Sequence, residues 1–435
     1  MVTNLQLDRE RIRLGVLACI HAVICLLSLI VVAYYRHLDA FKPHTFHVLF
    51  DIAVLPHALL TAVPFALLAG FFVFARFTFG YFVAFYSYTV LLSYVWLNNF
   101  TDLNHDHRLA GLSAAAAAIA FMLPTLLVTA PVRQVFVLSE RAFDRVLVAI
   151  LLISTATVLV GASYSFRLVN IEDIYSYRDK VQLPALLSYL VGIVSSSLLP
   201  FAFAGFLVRR AGGRAVAALL LIICLYPITL TKLTFFAPFW LVGIFVLTRL
   251  FEARVAVMLS LLLPMSAVLV VAMMLGQKAA VPVSFVNFRM IAIPAVAIDV
   301  YSDFFSRNPL THFCQISFLK PLMDCPYREM LAVMMEREYR IGNFNASLFA
   351  TEGIASVGFY LAPLAVLACG FIIAIGNRVS ASLPASFVMI SGGILPQVLI
   401  NVPLSTVLLT HGAGLLFLLW YITPRSIFAE RRQSA

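Results

Sequence analysis

The sequence predicts an all-α protein, a polytopic transmembrane helical bundle, and three observations carry that reading. The 435 residues are 62% hydrophobic and only 11% charged. Mean hydropathy is +0.99. Unbroken apolar runs long enough for a bilayer recur from one end of the chain to the other. A hydrocarbon core about 30 Å thick takes about 20 apolar residues per helix, and a helix satisfies its backbone polar groups internally, as lipid requires. A prior of one domain per about 150 residues would give about three domains, but the apolar runs are continuous and bundle together.

About 12 spans follow in order. The N-terminal "MVTNLQLDRERIRLG" is charged, and the run after it, 14–35, is too long for the apolar core of a signal peptide. It is therefore the first span. The second, 48–74, contains Asp51 and His57, which are six apart and share no helix face. Spans at 79–98 and 109–130 follow, the latter with the run "AAAAAIA" that suits close helix packing. Further spans are expected at 146–162, 184–208, 215–231, 233–250 and 255–276. Three more, 354–376, 382–401 and 404–421, close the bundle. No internal repeat is visible.

The net charge of +10 does not point to nucleic acid, because the basic residues segregate by loop. With the N-terminus inside, sixteen of the 30 Lys and Arg residues fall in inner segments, seven in short outer loops and seven in the long segment 277–353. Both termini are then cytoplasmic, and no inner loop is long enough to hold a catalytic domain. The expected organisation is 1–276 with nine spans, a large, partly helical outer loop at 277–353, and 354–435 with three spans and a short tail. Cys19, Cys25, Cys224 and Cys369 lie in apolar runs as small hydrophobes. Cys314 and Cys325 share the hydrophilic segment and can pair if it lies outside the cytoplasm. No Cys/His spacing and no acidic cluster suggests a metal.

The chemistry is therefore expected on the outer face. Arg289 stands among apolar residues five before Pro294, and Asp299, Tyr301 and Asp303 follow at a spacing that suits a helix lying in the bilayer interface. Two readings of Arg289 stay open. One is a snorkelling side chain; the other is a planar, permanently charged fork that meets an anionic headgroup. Pro326 suits a first helical turn, after which Met330, Leu331, Met334 and Met335 form an apolar face. Glu336, Arg337 and Glu338 read as solvated charges, whereas Arg340 leads directly into the polar stretch with Asn343, Asn345, Ser347, Thr351 and Glu352. The small residues Gly353, Ala355, Ser356 and Gly358 suit close packing, and a helix start there offers free N–H groups to an anion. In the other outer loop, Tyr175, Tyr177 and Arg178 suit either sugar stacking or an interfacial belt. Lys232 lies in a tight apolar hairpin, where a lysine is costly unless paired or used. His312, Glu352 and Asp303 are the candidates for a base, with the reservation that a lone His is more often structural. No chain of acids threads the spans as an ion-coupled transporter requires.

The order of "DIYSYR", "TLTKLTFFAPF", "FRMIAIPAVAIDVYSDFFSRNP" and "GNFNASLFATEGIASVG" resembles the Wzy-type oligosaccharide repeat-unit polymerases, the O-antigen and capsule polymerases of bacteria. The resemblance covers about residues 165 to 365 and rests on short motifs. It implies a GT-C-like membrane glycosyltransferase of the bacterial inner membrane, with 277–353 as a periplasmic loop. Such an enzyme moves a growing glycan from undecaprenyl pyrophosphate onto a new lipid-linked repeat unit. Its partners are the lipid-linked oligosaccharide, membrane lipid and a chain-length regulator protein; no cofactor is implied. Arg289, Arg340, Glu352 and His312 would be catalytic, and Arg178, Tyr175, Lys232, Tyr301, Asn343 and Asn345 would bind substrate. Guanidinium groups would neutralise the pyrophosphate leaving group in place of a metal, and Glu352 or His312 would orient or deprotonate the attacking hydroxyl. Three rivals remain: an O-antigen ligase using the same donor; a polysaccharide flippase or transporter, opposed by the lack of similar halves; and an acyltransferase, for which His57 is the available histidine.

Overall fold

The computed structural model describes residues 2–35, 48–169, 177, 181–340 and 345–432. It is 77% helical, with no strands among the described residues; an isolated bridge joins Val48 and Thr101. In chain order the helices are α1 (Val2–Tyr35), α2 (Leu55–Phe74), α3 (Phe79–Leu97), α4 (His107–Leu127), α5 (Glu140–Tyr164), α6 (Ala185–Val208), α7 (Gly212–Thr229), α8 (Lys232–Leu250), α9 (Ala253–Leu275), α10 (280–307), α11 (Leu331–Tyr339), α12 (Phe349–Ser380), α13 (Ala385–Ser391), α14 (Leu395–Leu399), α15 (Leu404–Leu409) and α16 (Ala413–Ile422). Ten helical stretches among the described residues are long and apolar enough to cross a membrane. The protein is a helical membrane protein.

Two regions depart from the twelve expected spans. From Ala253 to Arg307 the chain stays helical, turned at Gly276, whose φ of +52° needs no Cβ penalty. Residues beyond 276 that were expected to leave the bundle therefore remain in it as α10. Toward the C-terminus, the expected spans 382–401 and 404–421 are divided into α13 to α16. The pair Gly392–Gly393, Pro403 and the left-handed Gly412 interrupt that apolar sequence.

The chain forms two compact units. The first comprises 1–128, 254–374 and 397–404. Its centre is α3, in which every residue is buried, as expected of a helix apolar and aromatic all round. Thr78 caps it by accepting the Tyr81 N–H at 3.0 Å. Polar seams join its neighbours. His21 Nε2 lies 2.9 Å from Thr89 Oγ1, and one turn on Cys25 Sγ lies 3.2 Å from Ser93 Oγ. Asn287 of α10 donates to Ser28 Oγ at 2.7 Å. Close packing was expected at Gly353, Ala355, Ser356 and Gly358; the tighter approach on this helix is at Gly370, where a Cβ would come within 2.6 Å of Pro124 Cγ and 3.0 Å of the Phe121 carbonyl oxygen, against 3.4 Å to the nearest atoms at Gly353.

The second unit comprises 129–253, 375–396 and 405–435. Gly192 of α6 meets the Thr410 carbonyl so closely that a Cβ would sit at 2.4 Å, and Gly205 packs under Leu147. Trp240 Nε1 donates to the Gly393 carbonyl at 3.0 Å. Arg209 bridges Glu140 at 3.2 Å and Asp144 at 2.8 Å.

Candidate functional site

The polar groups of the first unit gather along α10. Its early part, Ser284–Ala292, is π-helical and carries Arg289, half-buried, against α1 and α3. Such a widened turn shifts the register of the side chains that follow and is frequent at functional sites. The second half, Ile293–Arg307, was expected on the membrane surface. Instead it is buried from Pro294 to Phe305. The spacing that suggested an interfacial helix has another cause: Asp299, Asp303 and Arg307 follow one another at i, i+4, so they line one face and find partners inside the protein.

Asp303 is fully engaged. Its carboxylate accepts the Asn104 N–H at 3.0 Å, the Tyr339 hydroxyl at 2.5 Å and a guanidinium N–H of Arg307. Arg307 also donates to the Tyr339 hydroxyl at 3.2 Å. The hydroxyl is held so firmly by burial and by the carboxylate that its pKa is pushed well above the usual tyrosine value. Asp303 therefore ties the 98–107 loop, α10 and α11 together, with three donors on its oxygens. One turn earlier, Asp299 lies 3.6 Å from His105 Nε2, both side chains almost wholly buried. Burial, with His107 beside it, pushes the His105 pKa down to about 4, so the imidazole is neutral at pH 7 and the contact is not an ion pair. Asn98 Oδ1 lies 3.2 Å from His105 Nε2 and 3.1 Å from His107 Nδ1. The signal for this cluster was present in the polar run 98–108, "NNFTDLNHDHR", which the sequence reading did not weigh, and in the i, i+4 acids of α10, which it read as the polar face of an interfacial helix.

Glu352 sits in a second π-helical turn, Phe349–Ala355, that packs on α10. It is 6% exposed, accepts the Thr351 hydroxyl at 2.6 Å, and feels Tyr301 of α10 as a neighbour. Just beyond, Gly358 leaves helical geometry at φ +74°. The chain at 311–312 covers that opening: Thr311 N–H donates to the Ala355 carbonyl at 2.8 Å and His312 N–H to that of Ser356 at 3.1 Å. His312 and Phe313 both turn left-handed there, at φ 46° and 67°. Cys314, next along, is bonded to Cys325.

The structure thus brings Tyr301 and Glu352 together, with Arg289 earlier on the same helix. Tyr301 is 1% exposed and stacks near Phe305 at 5.9 Å, so it is a packing residue rather than an open sugar platform. Its side of α10 faces protein. His312, Arg340 and Asn345 are exposed. Arg340 ends α11 in a left-handed conformation, φ 55°, its N–H bonded to the Glu336 carbonyl at 2.9 Å. Lys232 opens α8 in the second unit, half-buried, beside hydroxyls of Thr229, Thr231 and Thr234 that lie 2.9–3.2 Å from one another. Tyr175, Arg178 and Asn343 lie outside the described residues. His57, the histidine considered for an acyltransferase, is exposed and 2.8 Å from Asn99 Oδ1; the side chains of His21 and His105 are buried. No family model, curated protein or solved structure matches this chain.

Proposed function

We propose that the chain is a membrane-embedded glycosyltransferase that polymerises lipid-linked oligosaccharide repeat units, of the Wzy type that its motifs resemble. It would work at the periplasmic face of a bacterial inner membrane, taking the growing glycan from undecaprenyl pyrophosphate. The observation that carries this reading is the turn around Glu352. The motif "GNFNASLFATEGIASVG" contains a buried carboxylate in a widened helical turn, followed by a left-handed glycine. A buried acid in a transmembrane bundle is costly and is a functional candidate for that reason. The neighbouring disulfide favours an oxidising compartment for the 308–348 segment.

In this reading Glu352 orients or deprotonates the attacking sugar hydroxyl, and Arg289 stabilises charge on the departing pyrophosphate. Displacement is direct, with inversion at the anomeric carbon. The test is deletion of the gene followed by electrophoresis of surface polysaccharide. Loss of the ladder with single repeats retained on the core is expected. An unchanged ladder refutes the proposal, and intact lipid-linked polymer with a bare core points to a ligase instead. Glu352→Gln and Arg289→Ala should each lower polymer formation by about a hundredfold or more, with protein levels in the membrane unchanged.

A further inference from the structure

One cavity lies wholly within the second unit and has no part in the site above. It encloses about 910 Å³ between the ends of α6 and α8, the 381–386 segment and the chain at 425–428. Phe245, Phe387 and Phe428 contribute apolar walls, while Arg249, Arg425, Ser382 and Ser386 contribute polar groups. Among the described residues neither guanidinium has a carboxylate partner. Arg249 is instead held over the Phe245 ring, 5.1 Å from its centroid.

We propose that this cavity binds the phosphodiester headgroup of an anionic membrane lipid. Three features select that occupant. Two arginines without acidic partners match a phosphate, which each guanidinium fork can hold through two N–H groups. The seryl hydroxyls add donors for the remaining oxygens. The aromatic and aliphatic walls let an acyl chain stay in apolar surroundings while the headgroup meets charge. A soluble anion would use only the polar half of the cavity. In the topology read from the Lys and Arg bias, these helix ends face the cytoplasm. The proposal does not depend on the proposed glycan chemistry.

The experiment uses the purified full chain reconstituted in nanodiscs containing phosphatidylglycerol, phosphatidylcholine or equal parts of both, with lipid retained after delipidating washes read by native mass spectrometry. Selective retention of phosphatidylglycerol is expected. Arg249→Gln combined with Arg425→Gln should weaken that retention about tenfold or more, whereas Arg214→Gln, outside the cavity, should leave it unchanged. Arg249→Lys keeps charge and stem and guards against a folding defect; its retention should fall several-fold, because a point charge replaces a fork. Ser382→Trp, which fills the cavity and keeps both arginines, should also reduce retention. Equal retention of the two lipids, wild-type retention in the folded double variant or in Ser382→Trp, or displacement of the lipid by millimolar inorganic phosphate overturns the proposal.

Discussion

Asp303 shows how one side chain can look catalytic in sequence and be structural in place. An acid near a presumed membrane surface invites a role as base, yet three donors occupy its oxygens. Removing one of them should be felt in stability. Tyr339→Phe deletes a hydrogen bond to a charged group, worth about 1.5–3 kcal/mol, and hydrogen exchange across α11 should speed up accordingly. His105 gives a pH signature. Its pKa falls from 6.5 to about 4 on folding, so between those values the unfolded chain binds more protons than the folded one, and stability drops as the pH falls from 6.5 toward 4. Melting curves over that interval should show the slope, and His105→Gln should flatten it. Arg340 separates two roles in one residue. As a left-handed cap it is better served by glycine, which avoids a cost of about 1–2 kcal/mol. Arg340→Gly should therefore keep or raise the melting temperature. If the guanidinium meets substrate, polymer formation falls in the same variant; if Arg340 is only a cap, it does not.

At the scale of an element, the two π-helical turns matter most. Ser284–Ala292 and Phe349–Ala355 read in sequence as the entry to a surface helix and the start of a span. No periodicity announces a π turn, because an extra residue in one turn changes register by less than the ambiguity of a short apolar run. Gly358 was legible only as a small residue that eases packing. Its actual task is the left-handed break that lets the 311–312 backbone dock on the exposed carbonyls of Ala355 and Ser356. Gly358→Ala should cost about 1–2 kcal/mol, visible as a lowered midpoint in detergent unfolding. Gly192→Ala should cost more than an ordinary surface change, since its Cβ would stand 2.4 Å from a backbone oxygen that cannot rotate away.

For the whole molecule, the membrane character was written in the composition, and ten helices of spanning length carry it. The stretch between the last two helices of spanning length is shorter than 277–353, because α10 continues the helical path to Arg307. Cys314 and Cys325 report on the side that segment faces. Their bond closes a separation of 11 residues, a loop size for which a disulfide stabilises by roughly 3 kcal/mol in the chain-entropy view. In cells, neither thiol should alkylate without prior reduction. Free thiols at both positions would place the segment in a reducing compartment and remove the topology on which the functional proposal rests.

The sequence by itself determined that this is an all-helical membrane protein and where most of its helices run. Those properties follow from apolar run length and the cost of burying charge in lipid, and both are local. Arg289, Glu352 and the cysteine pair could be singled out on the same grounds. Only the tertiary structure decided which polar groups meet. Asp299 with His105, and Asp303 with Asn104 and Tyr339, are joined across separations of 36 to 199 residues. Whether a buried charge is a base or a tie depends on how many donors surround it. That number is set by helices packing side by side, and no periodicity along the chain records it.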